Sequence, residues 1–135
     1  MFIESALVCL ALNIYHEARG EPLAGRIAVT EVVLNRTNSP KFPDTICEVV
    51  KEGYYYQGHP IKNKCQFSWW CDGKSDKPTD KIQWAESINL AKAMLDKNHV
   101  DITEGSLYYH STKVNPYWAK HYSKTVKINN HIFYR

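Results

Sequence analysis

No two Lys or Arg residues are adjacent anywhere in this 135-residue chain. Without a basic tract, the net charge of +3 is a mild bias and nucleic acid is not expected as a partner. No apolar stretch is long enough to span a bilayer, so membrane insertion is not expected. The segment 2–14 is the nearest approach, but it carries Glu4 and lacks both the basic flank and the small-residue cleavage site of a secretory leader. It reads as a core helix, with export left to another agent. No C-x-x-C or H-x-x-x-H spacing gathers the cysteines and histidines into a zinc site, so no metal or cofactor is expected. A G-x-S-x-G elbow is missing, as are internal repeats, low-complexity tracts and linkers.

What is present fits one domain spanning residues 1–135. At this length folding buries roughly 68% of the unfolded chain's surface, enough for a single core. Four Trp and nine Tyr are many for the length. Such residues line sugar or peptide grooves, or else fill the core and its rim. Of the four cysteines, Cys9 falls in the apolar helix and reads as a buried thiol. Cys65 and Cys71 bracket Gln66 to Trp70 closely enough to close a short loop in an oxidising compartment. Cys47, Cys65 or Cys71 beside His59 or His110 leaves a cysteine peptidase open as an alternative.

The pattern predicts a helix from about Ile3 to Glu17 or Ala18, built on Leu7, Leu10, Ala11 and Ile14. Gly20 suits the left-handed residue that closes a helix, and Pro22 suits the start of the next, which runs to about Arg36 and buries Leu23, Ile27, Val33 and Leu34. A short helix follows with Asp44 as its cap, Ile46, Val49 and Val50 on its buried side, and Gly53 as its stop. Residues 54–78 show no sustained period and read as one long functional loop. Thr79 or Asp80 to Lys97 is a scaffold helix with Trp84, Ile88, Ala91 and Leu95 on one stripe. Ser106 to His110 reads as a strand, Pro116 to Tyr122 as a helical turn, and Thr125 to Tyr134 as a hairpin turning at Asn129-Asn130. The fold class is α+β, mainly helical, with a small strand and hairpin region.

The chemistry centres on Tyr15-His16-Glu17-Ala18-Arg19-Gly20-Glu21-Pro22, where the apolar segment turns charged and breaks. Glu17 stands where packing meets surface, and partial desolvation there raises a carboxyl pKa and makes it a usable proton donor. His16-Glu17 resembles the start of H-E-x-x-H, but position 20 is glycine, so a zinc protease is excluded. Glycosidic cleavage usually employs two carboxylates. Glu21 near the start of the second helix is explained by the helix dipole, which leaves one convincing acid and no pair. Asn35-Arg36-Thr37 fits a glycosylation sequon only formally, and the Tyr54-Tyr55-Tyr56 cluster reads as rim or packing.

Leu12 to Pro22, Gly25 to Val29, Leu34-Asn35-Arg36, Ser39 to Pro43, Cys47, Cys65 to Ser68, Leu107 to His110, Pro116 to Trp118 and His131 to Tyr134 recur in order. This ordered set resembles the SleB/CwlJ-type cell-wall hydrolases over nearly the whole chain, with the E-A-R-G-E core its most specific part. The resemblance implies a lysozyme-like domain related to lytic transglycosylases, acting on the glycan strands of peptidoglycan. It places the catalytic glutamate on Glu17 and supplies no second carboxylate. Gln66, Ser68, Tyr109 and His110 match its motif positions and are expected to orient sugars in the groove of Glu17, or else to support the loop and strand. Trp69, Trp70 and Trp118 are candidates for the cleft wall, with core packing as the alternative.

Many members of that family carry an export signal or a wall-binding module ahead of the catalytic domain, whereas here Glu17 follows the start closely. A monomeric phage lysin is therefore expected, made in the cytoplasm without a signal peptide and acting on the wall after release, or carried by a virion. A bacterial housekeeping or germination enzyme is the competing setting. A lysozyme-type muramidase, and an inactive wall-binding or virion structural protein, are the alternatives in activity.

Overall fold

A computed structural model of the chain describes residues 5–96 and 98–135. Helix α1 (Ala6–Ala18) begins at Ser5, whose Oγ accepts the Val8 N–H at 3.1 Å and so satisfies one of the free amides of the first turn. The expected start at Ile3 lies outside the described residues. Leu10, Ala11 and Ile14 are fully buried as their spacing requires, with Leu7 packed against them. Gly20 takes φ +91° and turns the chain into α2 (Leu23–Thr37), which Pro22 precedes.

Two small cores share α2. On one side α1, α3 (Ile46–Val50) and α4 (Lys81–Leu95) enclose Leu10, Ile14, Val33, Val49, Val50 and Ala91. On the other, Ala28 and Val32 meet Phe133 of the sheet. Each fully buried aliphatic or aromatic side chain here contributes roughly 1.5–3 kcal/mol. Leu23 departs from expectation: it is 53% exposed and belongs to neither core. Tyr15 is buried under α4, and its hydroxyl accepts the N–H groups of Thr79 and Asp80 at 3.1 and 3.0 Å. That fixes the entry to α4, whose cap is Asp80; the expected end of α4 at Lys97 falls on an undescribed residue.

The cap of α3 is Thr45 rather than Asp44, with Thr45 Oγ1 accepting the Glu48 N–H and donating to its carboxylate. Gly53 does not stop that helix, which ends at Val50. It opens β1 (Gly53–Tyr56), where a Cβ would stand 2.7 Å from the Lys64 carbonyl oxygen. The region read as one loop is thus partly a hairpin. β1 pairs antiparallel with β2 (His59–Cys65) across Gln57-Gly58, and both turn residues have positive φ, the backbone of a type I′ turn. Gln-Gly is a weaker signature than Asn-Gly, and the strands' side chains are nearly all exposed, so no alternation marked them.

A disulfide joins Cys65 to Cys71 across a single 3-10 turn at Ser68–Cys71. A second joins Cys9 to Cys47 and ties α1 to α3. Cys9 is therefore a cystine, not the buried thiol expected; its partner is 38 residues away and no spacing rule reaches it. The remaining strands, β3 (Tyr108–Ser111), β4 (Lys124–Ile128) and β5 (His131–Tyr134), form an antiparallel sheet in the order β3-β5-β4, with the β4–β5 turn at Asn129-Asn130 as expected. Tyr117–His121 is a 3-10 turn. Asn35 donates to Asp101, Thr103 and the Ser106 carbonyl, which occupies the formal sequon in structural bonding. No helix among the described residues is long and apolar enough to cross a membrane.

Candidate functional site

The last turn of α1 carries Glu17 to the edge of the first core, and the sheet supplies its partner. Tyr109, on β3, donates its hydroxyl to Glu17 Oε1 at 2.6 Å. The Tyr109 ring is held by Phe133 at 5.6 Å and by the edge of His131 at 5.4 Å, so the donor is fixed from behind. Burial pushes the Glu17 carboxyl above the ordinary glutamate range; the Tyr109 hydrogen bond and then the charges of Arg36 and His16 oppose that shift without cancelling it. Burial, followed by the charge and hydrogen bond of Glu17, holds the Tyr109 phenol well above its ordinary value. Tyr109 therefore stays a donor, and Glu17 is an acid that retains its proton to higher pH than an exposed glutamate.

Glu17 and Tyr109 open into a cavity of about 420 Å³. One wall is aromatic: Tyr108 stacks on Tyr122 with centroids 4.1 Å apart, and Trp118 leans on both from 6.1 Å. Burial and the Tyr122 hydroxyl push the Tyr108 phenol up to about 12. Gln66, Phe67 and Arg36 line the remainder. Arg36 donates its Nε–H to the Leu107 carbonyl at 2.8 Å, and its guanidinium lies 4.6 Å from the Phe42 ring centroid, with Phe67 and Tyr108 also near. Flat rings beside a half-buried acid suit a polymer of pyranose sugars, whose apolar faces stack on aromatics while their hydroxyls and amides meet polar groups.

Of the residues singled out from sequence, Gln66, Tyr109 and Trp118 share this cavity with Glu17. Ser68, Trp69 and His110 do not line it. Ser68 is exposed at the start of the 3-10 turn. Trp69 is only 6% exposed; it stacks on His16 at 4.6 Å and donates to Asn13 Oδ1, so its place is in the core beneath α1 rather than in the cleft wall. The His110 ring nitrogens lie within hydrogen-bond distance of the Ser111 carbonyl and the Tyr134 hydroxyl, and the ring backs Trp118. His110 therefore does not converge on Glu17 as expected, because β3 turns it toward its neighbour strand. Trp70 is half-buried and donates to Tyr55.

Sequence reasoning did not single out Arg36, Phe67, Tyr108 or Tyr122. The first three lie inside the recurrent motifs, and an arginine among the valines and leucines of α2 was the available signal. Among the described residues no group of three metal-ligating side chains assembles, and the site is built from proton donors, a carboxyl group and ring faces.

Comparison with known proteins bears on this arrangement. A family model described as Cell Wall Hydrolase matches residues 20–134, a span that begins just after Glu17. The spore cortex-lytic enzyme of Bacillus subtilis (strain 168) is 33% identical over 136 residues, covering 98% of this chain and 38% of that protein. The spore cortex-lytic enzyme of Halalkalibacterium halodurans is 31% identical, over 98% of this chain and 35% of that protein. The chain thus spans well under half the length of these relatives. Among solved structures, the catalytic domain of the germination-specific lytic transglycosylase SleB from Bacillus anthracis superposes with a TM-score of 0.70 at 27% identity, covering 99% of this chain and 97% of that one. The catalytic domain of the Bacillus cereus SleB protein gives 0.68 at 26% identity, over 100% and 93% of the two chains.

Proposed function

Because the chain belongs to the cell wall hydrolase family, we propose that it cleaves the glycan strands of peptidoglycan, with Glu17 as the single general acid and base. The observation that carries this reading is the carboxyl of Glu17, raised above the ordinary glutamate range by burial and held by Tyr109 at the mouth of an aromatic-walled cavity. Protonated Glu17 donates to the oxygen linking N-acetylmuramic acid to N-acetylglucosamine, and an oxocarbenium-like centre develops at the muramic anomeric carbon. The same carboxylate then takes the proton of the muramic C6 hydroxyl, whose oxygen closes on that carbon. The product carries a 1,6-anhydro end, and no water is consumed.

One carboxyl suffices for both proton transfers, and the cavity lining contains no second carboxylate among the described residues. The likeness to the catalytic domain of the lytic transglycosylase SleB supports the same route. Gln66 and Trp118 are proposed to contact the sugars in the cleft. For the setting, the spore cortex-lytic relatives support cortex peptidoglycan as substrate, whereas the phage lysin expected from sequence acts on vegetative wall.

Digestion of purified cortex and vegetative peptidoglycan, with fragments identified by mass spectrometry, tests the proposal. Fragments ending in anhydromuramic acid, lighter by one water than reducing ends, are expected. Reducing ends instead would assign a water-using muramidase, and intact glycan from both walls would overturn the activity.

A further inference from the structure

The β1–β2 hairpin exposes nearly all its side chains, yet the fold fixes it in place. Two paired strands without an apolar face are marginal by themselves. Here the Cys65–Cys71 disulfide closes the base, the Gln66 N–H reaches the Glu52 carbonyl at 2.9 Å, and the Tyr55 hydroxyl donates to the Lys51 carbonyl while accepting the Trp70 Nε1–H. Tyr55 is thereby committed to holding the hairpin. Tyr54 is not: it is 72% exposed and makes no hydrogen bond, ring stacking or cation contact among the described residues. Successive strand residues face opposite ways, and the two tyrosines line different cavities. That of Tyr54, about 390 Å³, lies at the base of the hairpin with Glu52, Gly53, Lys64, Cys65 and Gln66 around it. Exposed Gln66 also lines the cavity of Glu17, so the two cavities adjoin across it. The charge of Glu52 is accordingly felt at Arg36 and Tyr108 on the catalytic side. An exposed ring on a rigid support beside the catalytic cavity is a ready platform for a flat apolar ligand face.

We infer that Tyr54, with Lys64 and Gln66, forms a further pyranose-binding subsite that takes the glycan strand where it leaves the catalytic cavity. This rests on the proposed glycan-cleaving function. A polymer cleaved in its interior must continue past the reacting bond, and the cavity at the hairpin base continues that of Glu17 through Gln66. The Tyr54 ring stacks on the apolar face of a sugar, while Lys64 and Gln66 meet its hydroxyls and N-acetyl group. The enzyme accordingly gains from strands long enough to reach the hairpin, and Tyr54 sets that gain.

The test measures kcat/KM on peptide-stripped glycan strands separated by length, from disaccharide to dodecasaccharide, with the unaltered protein, Tyr54→Ala and Tyr54→Phe. For the unaltered protein kcat/KM is expected to rise with length, the last step before the plateau being about fivefold, the scale of one stacked ring. Tyr54→Ala is expected to lose that step, and Tyr54→Phe, which keeps the ring, to retain it. The same length dependence in Tyr54→Ala as in the unaltered protein would overturn the inference. So would a loss of equal size at every length, which would mark damage to the catalytic cavity rather than a missing distal contact. A Tyr54-dependent gain seen only on strands that keep their stem peptides would assign the hairpin to the peptide and overturn it likewise. Cleavage of no strand by the unaltered protein, with or without stem peptides, would instead overturn the functional reading itself, and with it this inference.

Discussion

Two glutamates of this chain, Glu17 and Glu31, have carboxyls pushed above the ordinary range by burial, yet only one is placed to do chemistry. Glu31, on α2, meets His99 with Nε2 to Oε2 at 2.8 Å. Its partner is a cation-forming ring, so the carboxyl proton has a local competitor and the pair acts as a clasp between α2 and the segment after α4. The cavity beside it, about 440 Å³, mixes Leu34, Ile46, Met94 and Leu95 with polar Asn35, Asn38, Asp44 and Thr45, and no Tyr, Phe or Trp lines it among the described residues. Glu17 meets a phenol that stays protonated, and its cavity is walled by rings. Burial alone therefore does not make an acid useful. A partner that cannot take the proton, and a surface that fits the substrate, make the difference.

The largest expected effect is on the acid itself. Glu17→Gln should lower kcat on peptidoglycan by about 10³-fold, within the range that general acid-base groups contribute, while Glu31→Gln leaves kcat within about twofold because it touches no reacting atom. Turbidity loss of a wall suspension reads both; comparable losses would erase the contrast between the two sites.

Next comes the partner. Tyr109→Phe removes the hydrogen bond that holds the Glu17 carboxylate, and a drop in kcat of about tenfold is expected. That bond lowers the Glu17 pKa, so its loss raises the pKa further, and the alkaline limb, where activity fades as the acid deprotonates, should move to higher pH. A limb that stays in place or moves down would separate Tyr109 from the acid.

At the other glutamate the effect should appear in stability rather than rate. His99→Ala leaves a buried carboxyl unpaired and should cost about 1 kcal/mol in urea unfolding, reduced because the His99 side of the pair is open to water. His99 is raised from its ordinary value by the Asp96 carbonyl, with the Glu31 hydrogen bond and charge adding to that. Its stabilising contribution is complete below the ordinary histidine pKa of about 6.5 and is lost as pH rises through the raised value, a slope the variant should lack.

The smallest effect sharpens the comparison from the Glu17 side. A carboxyl raised on folding binds its proton more tightly when native, so it lowers stability as pH climbs from the ordinary carboxyl value through the raised one. Glu17→Gln should therefore be more stable than the unaltered protein at neutral pH, and the two should converge in acid. A Glu17→Gln protein less stable at neutral pH would show the carboxylate to be supported rather than strained.

Much of this was legible in the chain. The stripe Leu10, Ala11, Ile14, the break at Gly20, the Asn129-Asn130 turn and the position of Glu17 at a helix end follow from local spacing, and local spacing is what a sequence displays. The pairings that complete the site are not local. Tyr109 is 92 residues from Glu17, and no period links them. Trp69 and His110 illustrate the same limit in reverse: residue type and motif suggested cleft roles, but packing turned one beneath α1 and the other toward Tyr134. The β1–β2 hairpin was illegible because its exposed strands carry no burial pattern.

The central claim is that the Glu17 carboxyl is kept as a proton donor by its site, and a carbon-13 NMR titration of that carboxyl, set beside the pH profile of kcat, tests it most directly. The account predicts a titration midpoint above the ordinary glutamate value of about 4.3, matched by the alkaline limb of the rate. A midpoint at or below that value, or a limb that does not follow it, would contradict the account.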